Sequence, residues 1–314
     1  MEGLSRTALR CSSLTLALLG TACTHGDPFS VDDYRTQVPF HDTDPARLTY
    51  SEYADLDPAW LPDGSGVLYS YTHTDSPERD RCLGVLPRTG GQRVREICRR
   101  TLADRDTIDG LGLPAVSAGG RLAFRRSAAS LSGTLPEHTE LVAGTLVDPF
   151  GGPILRRLPF TGPDGRFYVD LSQPQWTGES GLVFVGQVEE IVSPCPGCDP
   201  FVVRRNAGII HLLADGSGTV SPLPGTETVT SLAAGSDRSL LAPYIPFVVS
   251  AAGGRILAQS GAGLHVIDPE AGTVTDVAAA GLTNPVLHPD GSLIVGVRFD
   301  PDTFDSDLWR LTLP

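Results

Sequence analysis

Five segments of this chain share one form, and each is followed by a short apolar run. They are Pro58-Ala59-Trp60-Leu61-Pro62-Asp63-Gly64, Pro114-Ala115-Val116-Ser117-Ala118-Gly119-Gly120, Pro174-Gln175-Trp176-Thr177-Gly178-Glu179-Ser180, Pro246 to Gly254, and Pro285-Val286-Leu287-His288-Pro289-Asp290-Gly291. The runs behind them are Val67-Leu68-Tyr69, Leu122-Ala123-Phe124, Leu182-Val183-Phe184, Ile256-Leu257-Ala258 and Leu293-Ile294-Val295. Self-similarity at such intervals marks a chain built by repeating one supersecondary unit.

Elementary turn chemistry says what the unit is. A short strand carries a bulky residue inward, as Trp60 and Trp176 do here. Pro-Asp-Gly then turns the chain, as at Pro62, Asp63 and Gly64 and at Pro289, Asp290 and Gly291. Proline presets its own φ, aspartate bonds the backbone ahead and glycine accepts positive φ. The apolar run returns beside the first strand as a hairpin. Further strand candidates follow, such as Gly263-Leu264-His265-Val266-Ile267-Asp268 and Thr273-Val274-Thr275-Asp276-Val277. Four short strands per repeat predict one propeller blade, so the fold class expected is all-β. A stacked pair of β-sandwiches is the rival architecture, and it would not require the recurring turn.

Pro-x-Trp-x-Pro-Asp-Gly before an apolar strand resembles the PD40 signature of TolB-like propellers, a WD40-like repeat. The resemblance covers most of residues 46–314, with good first and last copies and degenerate middle ones. It implies a ring closed by an N-terminal strand that completes the last blade. The last repeat ends on Asp307-Leu308-Trp309-Arg310-Leu311-Thr312-Leu313, one strand short, and Ala46-Arg47-Leu48-Thr49-Tyr50 resembles the missing outer strand. Three of the four intervals between repeat prolines exceed the roughly 40–45 residues of a compact blade. The expectation is therefore five four-stranded blades, or six if the interval from Pro174 to Pro246 holds another.

Residues 1–22 read as an export signal. Arg6 and Arg10 precede the apolar stretch Ser13 to Leu19, and Gly20-Thr21-Ala22 supplies a small-x-small cleavage pattern. Leu18 to Cys23 resembles a lipobox, with Gly20 where the family usually has leucine. Cys23 is then the acylated first residue of a lipoprotein; ordinary cleavage after Ala22 would instead leave a free thiol. Residues 23–45 are turn-prone and without period, and are expected to be a tether. The localisation this implies is a membrane-anchored lipoprotein facing the periplasm or the cell exterior.

Four cysteines remain beyond Cys11 and Cys23. Cys82 and Cys98 stand symmetrically about Gly90 in a hairpin, so they should face each other and form a disulfide. Cys195-Pro196-Gly197-Cys198 could be a redox pair or half a zinc site. No βαβ pattern accompanies it and no second pair is free, which favours a small disulfide that staples the loop.

The formal charge of −13 argues against a nucleic-acid partner, since phosphate contacts need clustered cations. No Gly-x-Ser-x-Gly elbow, Walker loop or dinucleotide-binding glycine pattern is present. No cofactor is expected. The histidines are scattered, and His211, His265 and His288 fall where packing roles are ordinary. Asp300, Asp302, Asp305 and Asp307 form an acidic stretch with some resemblance to a calcium loop, but without its glycine and glutamate.

Two functions remain. One is a monomeric, non-catalytic binding or scaffold module for an envelope protein or other periplasmic ligand, touching the membrane through its lipid anchor only. The other is a periplasmic lyase or hydrolase acting on carbohydrate through polar residues in the central channel.

Overall fold

The computed structural model describes residues 44–51, 54–72, 80–98, 107–130, 138–193, 195, 199–217, 248–260, 263–277, 281–301 and 305–313. The signal, Cys23 and the tether as far as residue 43 lie outside the described residues. Strands and turns alone make up what is described, and no helix there is long and apolar enough to cross a membrane.

After β1 (Ala46–Arg47) the chain forms five antiparallel units, the first two joined into one sheet by a single parallel pairing of Arg81 with Gly110. The first holds β2 (Asp55–Trp60), β3 (Gly66–Thr72), β4 (Arg81–Pro87) and β5 (Arg95–Ile97). The second holds β6 (Thr107–Val116), β7 (Arg121–Ser130), β8 (His138–Thr145) and β9 (Ile154–Leu158). In the third are β10 (Phe160–Thr161), β11 (Phe167–Thr177), β12 (Gly181–Val192) and β13 (Phe201–Leu213). The fourth holds β14 (Val248–Ala252), β15 (Arg255–Ser260), β16 (Gly263–Asp268) and β17 (Thr273–Val277). The fifth has β18 (Leu282–Leu287), β19 (Leu293–Asp300) and β20 (Asp305–Thr312), and β1 is its fourth strand. The fold is a β-propeller. Of the interval from Pro174 to Pro246, where a sixth blade was the alternative to five, residues 218–246 lie outside the described residues.

Closure between the two ends follows the expected pattern. Ala46 pairs with Arg310 and Arg47 with Trp309, and the Leu48 amide donates to the Leu308 carbonyl at 2.8 Å. Thr49 continues the clasp, its hydroxyl accepting from the Leu308 amide at 2.9 Å.

The core lies in the wedges between neighbouring blades, which explains why the second strand of each blade is apolar on both faces. In β3, Val67, Tyr69 and Tyr71 pack toward the fifth blade beside Leu48, Val295 and Leu308. Leu68, one residue out of phase, packs toward the second blade with Leu122 and Phe124. Alternation along a strand sends successive side chains to opposite faces, and here both faces are covered. In the same way Ala123 joins Tyr168 and Phe184 at the seam of the second and third blades, and Ile294 joins Leu257 at that of the fourth and fifth.

The third blade departs from the expected order, because β10 lies on the side of β11 away from β12. Pro163-Asp164-Gly165, a turn not recognised as part of the repeat, folds this extra hairpin. Gly162 donates to Arg166 and Gly165 to Gly162, at 2.9 and 3.0 Å. Tyr168 stacks on Phe160 with centroids 5.1 Å apart, and its hydroxyl donates to Asp164 at 2.9 Å.

The disulfide hairpin has the expected register. Leu83 pairs with Ile97 and Gly84 with Glu96, which sets Cys82 opposite Cys98, bridged with their Cα atoms 4.8 Å apart. Cys195 is also disulfide-bonded, whereas Cys198 lies outside the described residues.

Candidate functional site

The first strand of each blade faces the ring's axis, and its pairing slips by one residue in all five, in the fourth between Val248 and Ser250; in the other four the slip has one common form. There, pairing with the second strand slips between Leu56 and Ala59, Gly112 and Ala115, Ser172 and Gln175, and Thr283 and Val286. At each of these four the residue before the repeat proline is left-handed: Asp57, Leu113, Gln173 and Asn284, with φ of 52°, 48°, 51° and 47°. Residues before proline normally sit in extended backbone, and non-glycine residues rarely take positive φ. The repeat proline therefore shapes a β-bulge in the inner strand, a job distinct from that of the turn downstream. The prolines themselves, Pro58, Pro114, Pro174 and Pro285, are buried. In the sequence this showed only as a proline in a constant place behind four unlike residues.

These bulges and the turns beyond them surround a cavity of about 840 Å³ at the axis. Its wall is largely proline, alanine and aliphatic, with Trp60 and Trp176 and the amides of Gln173, Gln175 and Asn284. The two tryptophans of the repeat are anchored alike. The Trp60 indole donates to the Val286 carbonyl at 3.2 Å, and that of Trp176 to the Ala115 carbonyl at 3.1 Å. Each thus ties its own blade to the inner strand of the preceding one.

Both carboxylates of the lining also bridge blades. Asp57 accepts from the Leu113 amide at 3.2 Å. Glu179 accepts from the Ser117 hydroxyl and the Gly119 amide, each at 2.7 Å. Those two bonds hold the Glu179 carboxyl below the usual range, which keeps it ionised. Arg121 lies over the Trp176 ring at 5.0 Å and donates to the Glu179 carbonyl.

Asp63 and Asp290 belong to the turns. Asp63 accepts from the Ser65 amide at 3.0 Å, and Asp290 from the Ser292 amide at 2.8 Å. The Ser292 hydroxyl and amide bring the Asp290 carboxyl down to about 2, with the neighbouring His288 helping. His288 itself is buried at the seam of the fifth and first blades. Its ring meets Trp60 edge-on at 4.6 Å, and Nε2 lies 3.1 Å from the Gly64 carbonyl oxygen. Gly64 has φ +69°, and a Cβ there would stand 2.3 Å from His288 Nε2. Gly64→Ala is expected to lose about 2–3 kcal/mol through the unfavourable φ and the clash. A thermal melt should show a fall of several degrees, and an unchanged midpoint would contradict this packing.

The remaining candidates are dispersed. His265 lies 2.8 Å from Asp276 on the outer strands of the fourth blade. Asp300 and Asp305 pair across the β19–β20 hairpin, Asp307 meets Arg47, and Asp302 lies outside the described residues. Among the described residues no three His, Cys, Asp or Glu side chains are grouped to hold a metal.

No family model matches the chain, and no curated protein does. Solved structures similar to it include an oligogalacturonate lyase from Vibrio parahaemolyticus, at 10% identity over 88% of this chain and 96% of that one, with a TM-score of 0.38. U3-55K is similar at 11% identity over 88% and 100%, TM-score 0.43. The WD40 repeats of RRP9 are similar at 11% over 87% and 98%, TM-score 0.42. Likenesses this distant carry nothing about activity. The propeller stands on its own sheets.

Proposed function

We propose that this chain is a TolB-like binding module of the cell envelope, exported and held to a membrane by an acyl group on Cys23. The single observation that supports binding over turnover is the use made of the carboxylates at the axis. Asp57 and Glu179 each clamp the backbone of a neighbouring blade, which commits both to holding the ring together. Around them the wall of proline, alanine and tryptophan offers a rigid, mostly apolar recess of the kind that receives a partner's side chains.

A photo-crosslinking residue at Gln175, in the cavity wall, is expected to trap one discrete protein in the native envelope. The same residue at Arg157, on an outer strand, should not. Product release from an envelope glycan or peptide by the purified chain would overturn the reading. Labelling with an alkyne fatty acid should mark the wild type and not Cys23→Ser.

A further inference from the structure

Among the described residues, the cavity is lined by two carboxylates and by no lysine, arginine or histidine. Three turns at that end also carry carboxylates, with the exposed Arg88 of the β4–β5 turn among them. Asp-Gly-Ser occurs there three times, at Asp63, Asp215 and Asp290. These turns share one end because backbone bonds join them within their blades: Arg88 to Ser65, Ala214 to Ser180 and Leu313 to Ser292. In each the carboxylate accepts from its own serine amide, at 3.0, 2.8 and 2.8 Å, so the charge is fixed in place at the surface. Arginines at this end donate to carbonyls, Arg121 to Glu179 and Ala214, and Arg310 to Arg88. Behind the wall, Arg81 feels the Asp57 charge without an ion pair to it. The chain as a whole carries −13.

We propose that this end of the channel takes a cationic segment of a partner polypeptide, its lysine or arginine stems lying along the proline and tryptophan wall and their charges directed to Asp57 and Glu179. Long basic side chains suit such a recess, because their methylenes bury against apolar walls while the head meets a carboxylate. Complementary charge also steers the encounter and rejects partners of like sign. The inference rests on the binding reading above and narrows it to a class, setting anionic glycans and acidic peptides aside.

The test uses the full chain and two fluorescent peptides, one alternating lysine with alanine and one alternating glutamate with alanine, read by anisotropy at low and physiological salt. Binding of the lysine peptide alone is expected, weakening as salt rises. Asp57→Asn with Glu179→Gln should weaken it about tenfold, roughly threefold for each. Both replacements keep an oxygen for the Leu113 or Gly119 amide, and an unchanged melting temperature would confirm that the fold is retained. Glu190→Gln, in the distant β12–β13 hairpin, should leave binding unaltered. Equal loss from Glu190→Gln would assign the attraction to net charge and overturn the proposal, as would tighter binding of the glutamate peptide. Cleavage of either peptide would sink the binding reading while leaving the charge preference standing.

Discussion

Replacing Arg47 by alanine is expected to destabilise the propeller by about 3–5 kcal/mol, the loss typical when one partner of a buried ion pair is removed. Arg47 reaches from the N-terminal strand to Asp307, whose side chain is only 2% exposed, across the seam that closes the ring. The Thr49 hydroxyl also donates to that carboxylate, at 3.3 Å. Without the guanidinium, the buried Asp307 carboxylate would lose this counter-charge while staying near Asp55. Adding Asp307→Asn to Arg47→Ala should recover much of the loss, because it removes the stranded charge. Urea unfolding of both variants and the wild type checks this. A loss below about 1 kcal/mol for Arg47→Ala, the range of an exposed pair, would show that the seam is open to water.

The second large effect concerns Asp55. It is fully buried, and its Oδ1 has no hydrogen-bond partner. Burial pushes its carboxyl from 3.8 up to about 7; the nearby Asp307 adds to this, while bonds from Ser51 and Thr49 and the Arg93 charge act against it. Between those two values the unfolded chain releases a proton that the folded chain keeps, so rising pH favours unfolding. The contribution of Asp55 is thus fully present below 3.8 and lost as pH climbs through about 7. The interval corresponds to about 4 kcal/mol. Asp55→Asn should flatten the stability profile between pH 4.5 and 7.5 and make the protein about 2–4 kcal/mol more stable than wild type at pH 8. Melts across a pH series decide it. A wild type with level stability over that range, matched by a weaker variant at every pH, would contradict a neutral Asp55.

These two effects meet at one seam, where the strand that completes the last blade lies beside two buried carboxylates. Tyr69 and Tyr71 wall the same wedge, and Arg93 lies over the Tyr71 ring at 4.0 Å. Loss of the N-terminal clasp would expose this wedge to water.

Much of the architecture was legible in the sequence because it is local. A turn of proline, aspartate and glycine followed by an apolar run specifies a hairpin whatever surrounds it, and all five expected second strands are present. Cys82 and Cys98 could be paired because hairpin register follows from the turn between them. The closing strand could be found because the last blade lacked one. The extra hairpin at Pro163-Asp164-Gly165 carried the same local signal but fell outside the repeat interval.

What the sequence could not decide was which side chains meet across the seams. Asp307 looks in sequence like one more acid in a loop and was grouped there with Asp300, Asp302 and Asp305. The ring instead makes it the partner of Arg47, from the far end of the chain. Glu179 and Asp57 likewise gain their roles from backbone in adjoining blades, and the left-handed residues before the prolines arise where inner strands bend around a shared axis. Hairpins and turns are set by neighbours in the chain, so their residues announce them. Burial, charge pairing and the shape of the channel depend on which blades adjoin, and only the closed ring determines that.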